Sequence, residues 1–434
     1  MSLPDPYPVP AGRIARGRLR PPASKSVSQR LLDLALVLDA EHVRLDNLLF
    51  SDDIEHFLGG LAAFGLRVER SDGGVDLHRG EQDGEAFLNC GAGGTMLRFL
   101  VAAAAVRKGS SVLDGTPRLR ERTVAPLVEA LRALGVRIEY LAEEGFCPLR
   151  IWGGTLGGGR CSLDASLSSQ YLSALLMACL RAREPVDLQV TGMTSAPYVE
   201  LTLAALADFG VAEAVQRTER GYRIDPAAAA SPPAGLRLQV EADDSAVAYP
   251  AAAALLTDGD VVLEGLRPDS IQGDRRLLAL LESIGARLEW TEDQLRVTRR
   301  LEVLRPFDVD MSEIPDQVPT MAAIAPFCDG VSRIRNVPHL RIKESDRLAA
   351  MADGLSRCGF SVEEQPDGLV LEGRGEALPV SSTAVLVDSY EDHRIAMSMA
   401  LVGLRRPGLQ VADPSVVAKS YPNFWQHLEQ LLET

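Results

Sequence analysis

At 434 residues, with 46% hydrophobic and 24% charged residues, the chain has a globular composition but is too long for one ordinary core, so two domains are expected. A net charge of -15 and an aromatic content of 5% argue against nucleic acid or an anionic membrane as partner, but not against small anions. No apolar run is long enough for a membrane span, the first ten residues hold four prolines and no apolar signal core, and the cysteines (Cys90, Cys147, Cys161, Cys179, Cys328, Cys358) are scattered, which together fit a reduced cytoplasmic protein.

The first informative stretch is Pro21 to Arg30, just ahead of the apolar run Leu31 to Leu38. Small residues, serines, Lys25 and Arg30 at a helix start suit an anion, because the first N–H groups of a helix are unpaired and the macrodipole there is positive. Ser26 is a candidate helix cap, and Arg30 falls on the same face one turn later. Taken alone, the stretch reads first as an ordinary cap, and it is the return of the same design that favours an anion site.

The same design returns along the chain. Amphipathic helices ending at Gly65, Gly135, Gly210, Gly285 and Gly359 recur about every 75 residues, each followed by a strand, a turn and a second strand. The period places a sixth such helix at Pro422 to Leu432, where its hairpin is missing, and Ile14 to Leu19 is the expected donor of the missing strand. A second ladder of helices, apolar on all sides, starts near Ser26, Thr95, Ser169, Ser245, Pro319 and His393. Helices of that kind are buried. Each repeat therefore reads β-α-β-α-β-β, and six repeats most simply form two domains of three. Ala227 to Pro233 lacks amphipathic pattern and marks a loop near the boundary.

The residues before each buried helix carry the chemistry. Cys90-Gly91-Ala92-Gly93-Gly94-Thr95, with Arg98 one turn in, allows close backbone approach to an anion but lacks the Gly-Lys-Ser/Thr ending of a nucleotide P-loop. Arg118, Arg120 and Arg122 open a helix, a placement that the dipole disfavours and an anion clamp would explain. Ser168-Ser169-Gln170 and Ser195-Ala196-Pro197-Tyr198 offer neutral phosphate ligands, or simple caps. In the second half, Ile314-Pro315-Asp316, Arg341-Ile342-Lys343-Glu344-Ser345-Asp346-Arg347, Asp392-His393-Arg394 and Lys419 repeat the register with charges. Lys25, Arg98, Arg122, Lys343, Arg347, Arg394 and Lys419 thus occupy equivalent helix mouths, as an anionic substrate would require. Asp316 and Glu344 are carboxylates embedded in that set, as a general acid and base would be.

These motifs, in this order, resemble the 5-enolpyruvylshikimate-3-phosphate (EPSP) synthases of the enolpyruvyl transferase family, and the likeness spans nearly the whole chain. Ser24-Lys25-Ser26-x-Ser28-x-Arg30, Ser51-Asp52-Asp53, Gly94-Thr95-x-x-Arg98, the Arg118 to Arg122 run, Ser168-Ser169-Gln170-Tyr171 and the later motifs above carry it. The resemblance implies an α/β fold of two pseudo-threefold domains, each an inside-out α/β barrel of three repeats, with the substrate cleft between them. Residues 1–22 with 242–434 would form one domain and 23–241 the inserted one. It implies transfer of enolpyruvyl from phosphoenolpyruvate to shikimate 3-phosphate in the shikimate pathway, by addition and elimination through a tetrahedral ketal. By that analogy Lys25, Ser26, Arg30, Ser168, Ser169, Ser195, Tyr198, Asp316, His339 and Lys343 would bind shikimate 3-phosphate. Lys25, Gly94, Thr95, Arg122, Gln170, Arg347, Arg394 and Lys419 would bind phosphoenolpyruvate, with Asp316, Glu344 and Lys25 catalytic. No metal or organic cofactor is called for, and a cytoplasmic monomer is expected. Ala92 and His339 stand where the family commonly has Asn, and Phe99 and Thr123 where it commonly has Pro. Two rivals stay open: the sister enzyme acting on a UDP-sugar, which usually carries a Cys in the segment that here is Asp114 to Arg122, and a non-catalytic anion-binding scaffold.

Overall fold

In the computed structural model, which describes residues 3–81, 84–154, 156–375 and 383–433, helices of two kinds alternate along the chain. In chain order they are α1 (Lys25–Val37), α2 (Asp52–Ala63), α3 (Gly94–Val106), α4 (Ala125–Ala133), α5 (Ser169–Cys179), α6 (Pro197–Asp208), α7 (Asp244–Thr257), α8 (Arg276–Ile284), α9 (Val318–Ile324), α10 (Arg347–Arg357), α11 (His393–Arg405) and α12 (Phe424–Leu432). The odd-numbered helices have no polar face and are buried: α3 leaves only Thr95 and Val106 partly exposed. The even-numbered ones are amphipathic: α8 buries Leu277, Leu278, Leu281 and Ile284, spaced to lie on one side. Gly65 (φ 99°) and Gly359 (φ 89°) sit just past helix ends in the left-handed region, where the chain reverses into its hairpin.

Each pair of helices is tied to its own small sheet. In the second repeat, Glu85–Asn89 runs parallel to Gly109–Asp114, which is antiparallel to Leu149–Gly153, which is antiparallel to Arg137–Tyr140. The third repeat (Gly159–Ala165, Val186–Met193, Gly221–Ile224, Val215–Thr218) and the fifth (Asp308–Asp310, Asp329–Arg335, Gly368–Arg374, Ser361–Gln365) have the same order. Their strands alternate, as Glu85–Asn89 does with only Ala86 and Leu88 buried, so one face of the sheet packs on the helices. Among the described residues the sheets remain separate and no closed barrel forms. The architecture is inside-out in the sense that helices fill the interior and sheets cover it.

Two compact units result, Ala23–Val240 and Met1–Pro22 with Glu241–Thr434. In the first, α1, α3 and α5 pack on one another; in the second, α7, α9 and α11 do. Each trio sits in its own hydrophobic core. No helix among the described residues is long and apolar enough to cross a membrane.

Three expectations need correction. Arg16–Leu19 does not complete the sixth repeat; it is the leading strand of the fourth, parallel to Asp260–Glu264. Tyr7–Pro8 fills the sixth instead, antiparallel to Leu409–Val411. The first repeat likewise takes its leading strand from far away, Leu236–Gln239 lying parallel to His42–Asp46. Periodicity locates a missing strand but cannot say which of two neighbouring segments has the backbone direction to fill it. Secondly, Ser24 rather than Ser26 caps α1, its hydroxyl accepting from Val27 N at 3.4 Å. Thirdly, the Arg118 to Arg122 run does not open α4. It centres on a single 3-10 turn, Leu119–Glu121, ahead of a helix that starts at Ala125.

Candidate active site

In the inserted unit, the starts of α1, α3 and α5 carry most of the residues picked out above. Lys25, the first residue of α1, pairs with Asp53 in the first turn of α2, Nζ to Oδ2 at 2.9 Å. Ser26 is half-buried one position on. Arg30 is different: it is buried, and its donors are spent inside the protein. Nε donates to Thr202 Oγ1 at 2.9 Å, Nη1 to the Ser26 carbonyl at 2.7 Å and Nη2 to the Tyr198 carbonyl at 2.8 Å. Burial pulls its guanidinium down to about 10, with Tyr198 and Asp33 pulling the other way. It stacks over Phe99, 5.5 Å from the ring centre, which gives that departure from the family residue a packing role. Arg30 therefore ties α1 to α6 and fixes the backbone of Ser26 and Tyr198.

The glycine loop leads directly into α3. Gly94 is its first residue, and the Arg122 guanidinium lies so close over it that a Cβ there would meet Arg122 Nη2 at 2.5 Å. Arg122 is buried, whereas Arg118 and Arg120 reach outward to Glu121 (2.7 Å) and Asp114. Of the three arginines, Arg122 is the one that lies over the α3 start. Its segment is anchored from behind. The Thr123 carbonyl accepts from Arg98 Nη2 at 3.3 Å and from the Tyr171 hydroxyl at 2.8 Å. The Thr123 hydroxyl donates to the Gly145 carbonyl at 3.1 Å and accepts from Ala125 N at 3.2 Å. Threonine in place of the family's proline thus pins the first turn of α4. Arg98 also donates to Gln170 Oε1 at 2.5 Å, joining α3 to α5.

Ser168 caps α5, accepting from Gln170 N at 3.3 Å, and Ser169 beside it is buried. Ser195 sits at φ 53°, a conformation that serine rarely adopts and that this turn holds against strain. Its carbonyl accepts from Tyr198 N at 3.1 Å.

In the other unit the charges form one linked set. Arg347, at the start of α10, is buried and bonded to three carboxylates: Asp316 Oδ1 at 2.9 Å, Glu344 Oε2 at 2.8 Å and Asp392 Oδ2 at 2.7 Å. Asp392 also caps α11, accepting from Arg394 N at 2.9 Å. Arg394 in turn donates to Asp316 Oδ2 at 3.0 Å and to the Asp316 carbonyl at 3.2 Å. Lys419 lies 3.7 Å from Glu344 Oε1. A buried guanidinium without partners would be strongly disfavoured; here the carboxylates offset its desolvation. Burial alone would push the Asp316 carboxyl up, but Arg394, Arg347 and Lys343 outweigh it and hold the group well below the usual carboxylate range.

His339 is buried nearby, and its Nε2 finds no hydrogen-bond partner among the described residues. Burial first, then Lys343 and Arg347 against Asp316, holds its imidazole down to about 4, so the ring is neutral near pH 7. The Arg341 to Arg347 run is not a solvated helix face: Arg341 turns outward to Asp346 (3.0 Å) and Glu364 (2.6 Å), while Arg347 turns inward.

Four supporting residues carried little or no signal in the sequence. Asp53 was visible only as part of a motif, and its role as the Lys25 partner needed the α1 to α2 packing. Thr202 and Ser173, which hold Arg30, sit mid-helix like any small polar residue. Asp274, which accepts from Ser245, lies in a short turn with no distinctive pattern.

Residues 10–428 match the family model for EPSP synthase (3-phosphoshikimate 1-carboxyvinyltransferase). The chain belongs to the EPSP synthase family. Among its relatives, the 3-phosphoshikimate 1-carboxyvinyltransferase of Syntrophobacter fumaroxidans is 44% identical over 421 residues, 96% of this chain and 97% of the relative. That of Vibrio cholerae is 39% identical over 424 residues, 96% of each chain. A solved EPSP synthase from Acinetobacter baumannii superposes with a TM-score of 0.75 at 25% identity, covering 98% of each chain. The EPSP synthase fold thus agrees with the repeat architecture, and EPSP synthase membership with the order of the motifs.

Proposed function

We propose that the chain transfers the enolpyruvyl group of phosphoenolpyruvate to the 5-hydroxyl of shikimate 3-phosphate and releases phosphate, acting as a cytoplasmic monomer. The observation that carries this reading is the Arg347 hub. One buried guanidinium holds Asp316 and Glu344, the two carboxylates cast as base and acid, and a second arginine shares Asp316. A scaffold meant only to bind anions would be weakened by such carboxylates.

In this reading Glu344 delivers a proton to the methylene carbon of phosphoenolpyruvate, making its neighbouring carbon electrophilic. The substrate hydroxyl adds to that carbon and gives its proton to Asp316. The resulting ketal expels phosphate as the methyl group returns a proton and the double bond reforms. Asp316 with a guanidinium on each oxygen is a weak base. The phosphate and carboxylate of the substrates are the natural groups to draw Arg347 and Arg394 off it, so base strength develops once both anions are bound. Arg122, Gln170, Gly94, Thr95, Arg347, Arg394 and Lys419 serve phosphoenolpyruvate. Ser26, Ser168, Ser169, Ser195, Tyr198, His339 and Lys343 serve shikimate 3-phosphate, with Arg30 acting through the Ser26 and Tyr198 backbone. Lys25 serves both.

Phosphate release from phosphoenolpyruvate, with shikimate 3-phosphate or UDP-N-acetylglucosamine as acceptor, tests the reading. Release with the first acceptor supports it. Release only with the second assigns the chain to the sister reaction, and release with neither removes the catalytic reading.

A further inference from the structure

Ser245 and Asp274 are given no part in substrate binding or catalysis above, yet they adjoin the charged set. Ser245 is in the first turn of α7, whose start is capped by Asp243, accepting from Ser245 N at 2.8 Å. Its hydroxyl donates to Asp274 Oδ2 in a short contact. With its proton committed there, the same oxygen accepts from Arg394 Nη2 at 3.3 Å. Asp274 is buried in the turn Gly273–Arg275. That turn is itself fixed, since Gln272 donates from Nε2 to the Ala242 carbonyl at 2.7 Å and Arg275 pairs with Asp244 at 3.1 Å.

We propose that Asp274 and Ser245 are positioning residues for Arg394, giving its Nη2, which also reaches Asp316 Oδ2, a second acceptor that is not that carboxylate. The inference rests on the reading that Arg394 binds phosphoenolpyruvate. Among the anchors of Arg394 are Asp316, through its carboxylate and carbonyl, and Ser245. The Asp316 carboxylate must be released for Asp316 to take a proton from the substrate hydroxyl. An arginine fixed only by that carboxylate would lose its place at the moment it is needed. The serine anchor is a separate acceptor from the Asp316 carboxylate, and the aspartate behind it orients the hydroxyl so that a lone pair, not a proton, faces the guanidinium. Burial, and after it the charge on Asp316, push the Asp274 carboxyl up to about 6, against the pull of Arg394 and the bond from Ser245.

The test is steady-state kinetics of the full chain with Ser245→Ala, Ser245→Thr and Asp274→Asn, varying each substrate in turn. Ser245→Ala is expected to raise KM for phosphoenolpyruvate about tenfold, the worth of one hydrogen bond to a charged group, with KM for shikimate 3-phosphate little changed. Ser245→Thr keeps the hydroxyl and is expected to recover most of that loss. Asp274→Asn, whose amide can donate back to the serine, is expected to follow Ser245→Ala. An unchanged phosphoenolpyruvate KM in Ser245→Ala overturns the proposal, as does an equal rise in both KM values or a threonine that fails to rescue. Should the unsubstituted protein release no phosphate with shikimate 3-phosphate, the functional reading itself fails and takes this inference with it. If Asp274→Asn does not fold, the two serine variants decide the matter.

Discussion

Replacing Gly94 with alanine is expected to impair phosphoenolpyruvate handling while sparing the fold. Gly94 is not among the glycines in the left-handed region, so its backbone accepts an alanine, and alanine is intrinsically the better helix residue by up to about 1 kcal/mol. The new Cβ, however, would lie 2.5 Å from Arg122 Nη2, 2.6 Å from Cζ and 2.8 Å from Nη1. Heavy atoms in ordinary contact sit at about 3.5–4.0 Å, so the guanidinium must withdraw by roughly 1 Å. It is the end of a flexible side chain, which is why the fold can absorb the change. A site cannot absorb it so easily. Misplacing a positioning group by about 1 Å can lower the rate about 10²-fold, or about 2.7 kcal/mol. The assay is phosphate release at varied phosphoenolpyruvate, read beside a thermal melt. A large rise in KM for phosphoenolpyruvate with an undiminished Tm is the expected pair of results. A KM close to that of the parent protein, with the melt also unchanged, would refute the reasoning, because Arg122 would then be either movable without consequence or not a ligand.

Glu344→Gln and Asp316→Ala are each expected to lower kcat by about 10²- to 10⁴-fold while both substrates still bind, as measured by turnover alongside calorimetric titration; near-normal turnover in either would remove that residue's role. His339 makes stability depend on pH. Its folded pKa of about 4 lies below the ordinary 6.5, so between those values the unfolded chain binds a proton that the folded one does not. Stability is therefore full above the higher value and declines by roughly 3 kcal/mol as pH falls through the lower one. His339→Asn should flatten that decline in urea midpoints taken across the interval, and an unaltered slope would contradict it. Ser24→Ala should cost about 1 kcal/mol in urea unfolding through loss of the α1 cap. Ser26→Ala should stay within about 0.5 kcal/mol, its effect falling instead on KM for shikimate 3-phosphate; equal losses of stability would mean that the capping assignment is wrong.

The sequence alone determined the repeat. Apolar helices and glycine-terminated amphipathic helices alternate with one period, and burial of the first kind follows directly from their lack of a polar face. The odd-numbered helices begin within a residue of the positions expected for them. The residue types at the helix mouths were legible for a similar reason: unpaired N–H groups and a positive dipole make a helix start the place where serine, glycine and cations have a chemical reason to gather.

Only the tertiary structure decided how those residues divide their work. Arg30 and Arg122 look alike in the sequence, yet one is enclosed by Thr202, Ser26 and Tyr198 and the other lies over Gly94. Arg347 and Arg341 stand six positions apart in one charged run, and one turns into the protein while the other turns out. Strand exchange was equally hidden, since Leu236–Gln239 reaches back to the first repeat and Arg16–Leu19 forward to the fourth. Local sequence encodes periodicity and chemical type because these depend on neighbours along the chain. Side-chain direction, charge pairing and the choice of strand partner depend on neighbours in space. They are settled only when burial forces each guanidinium to find acceptors and each strand edge to find a mate.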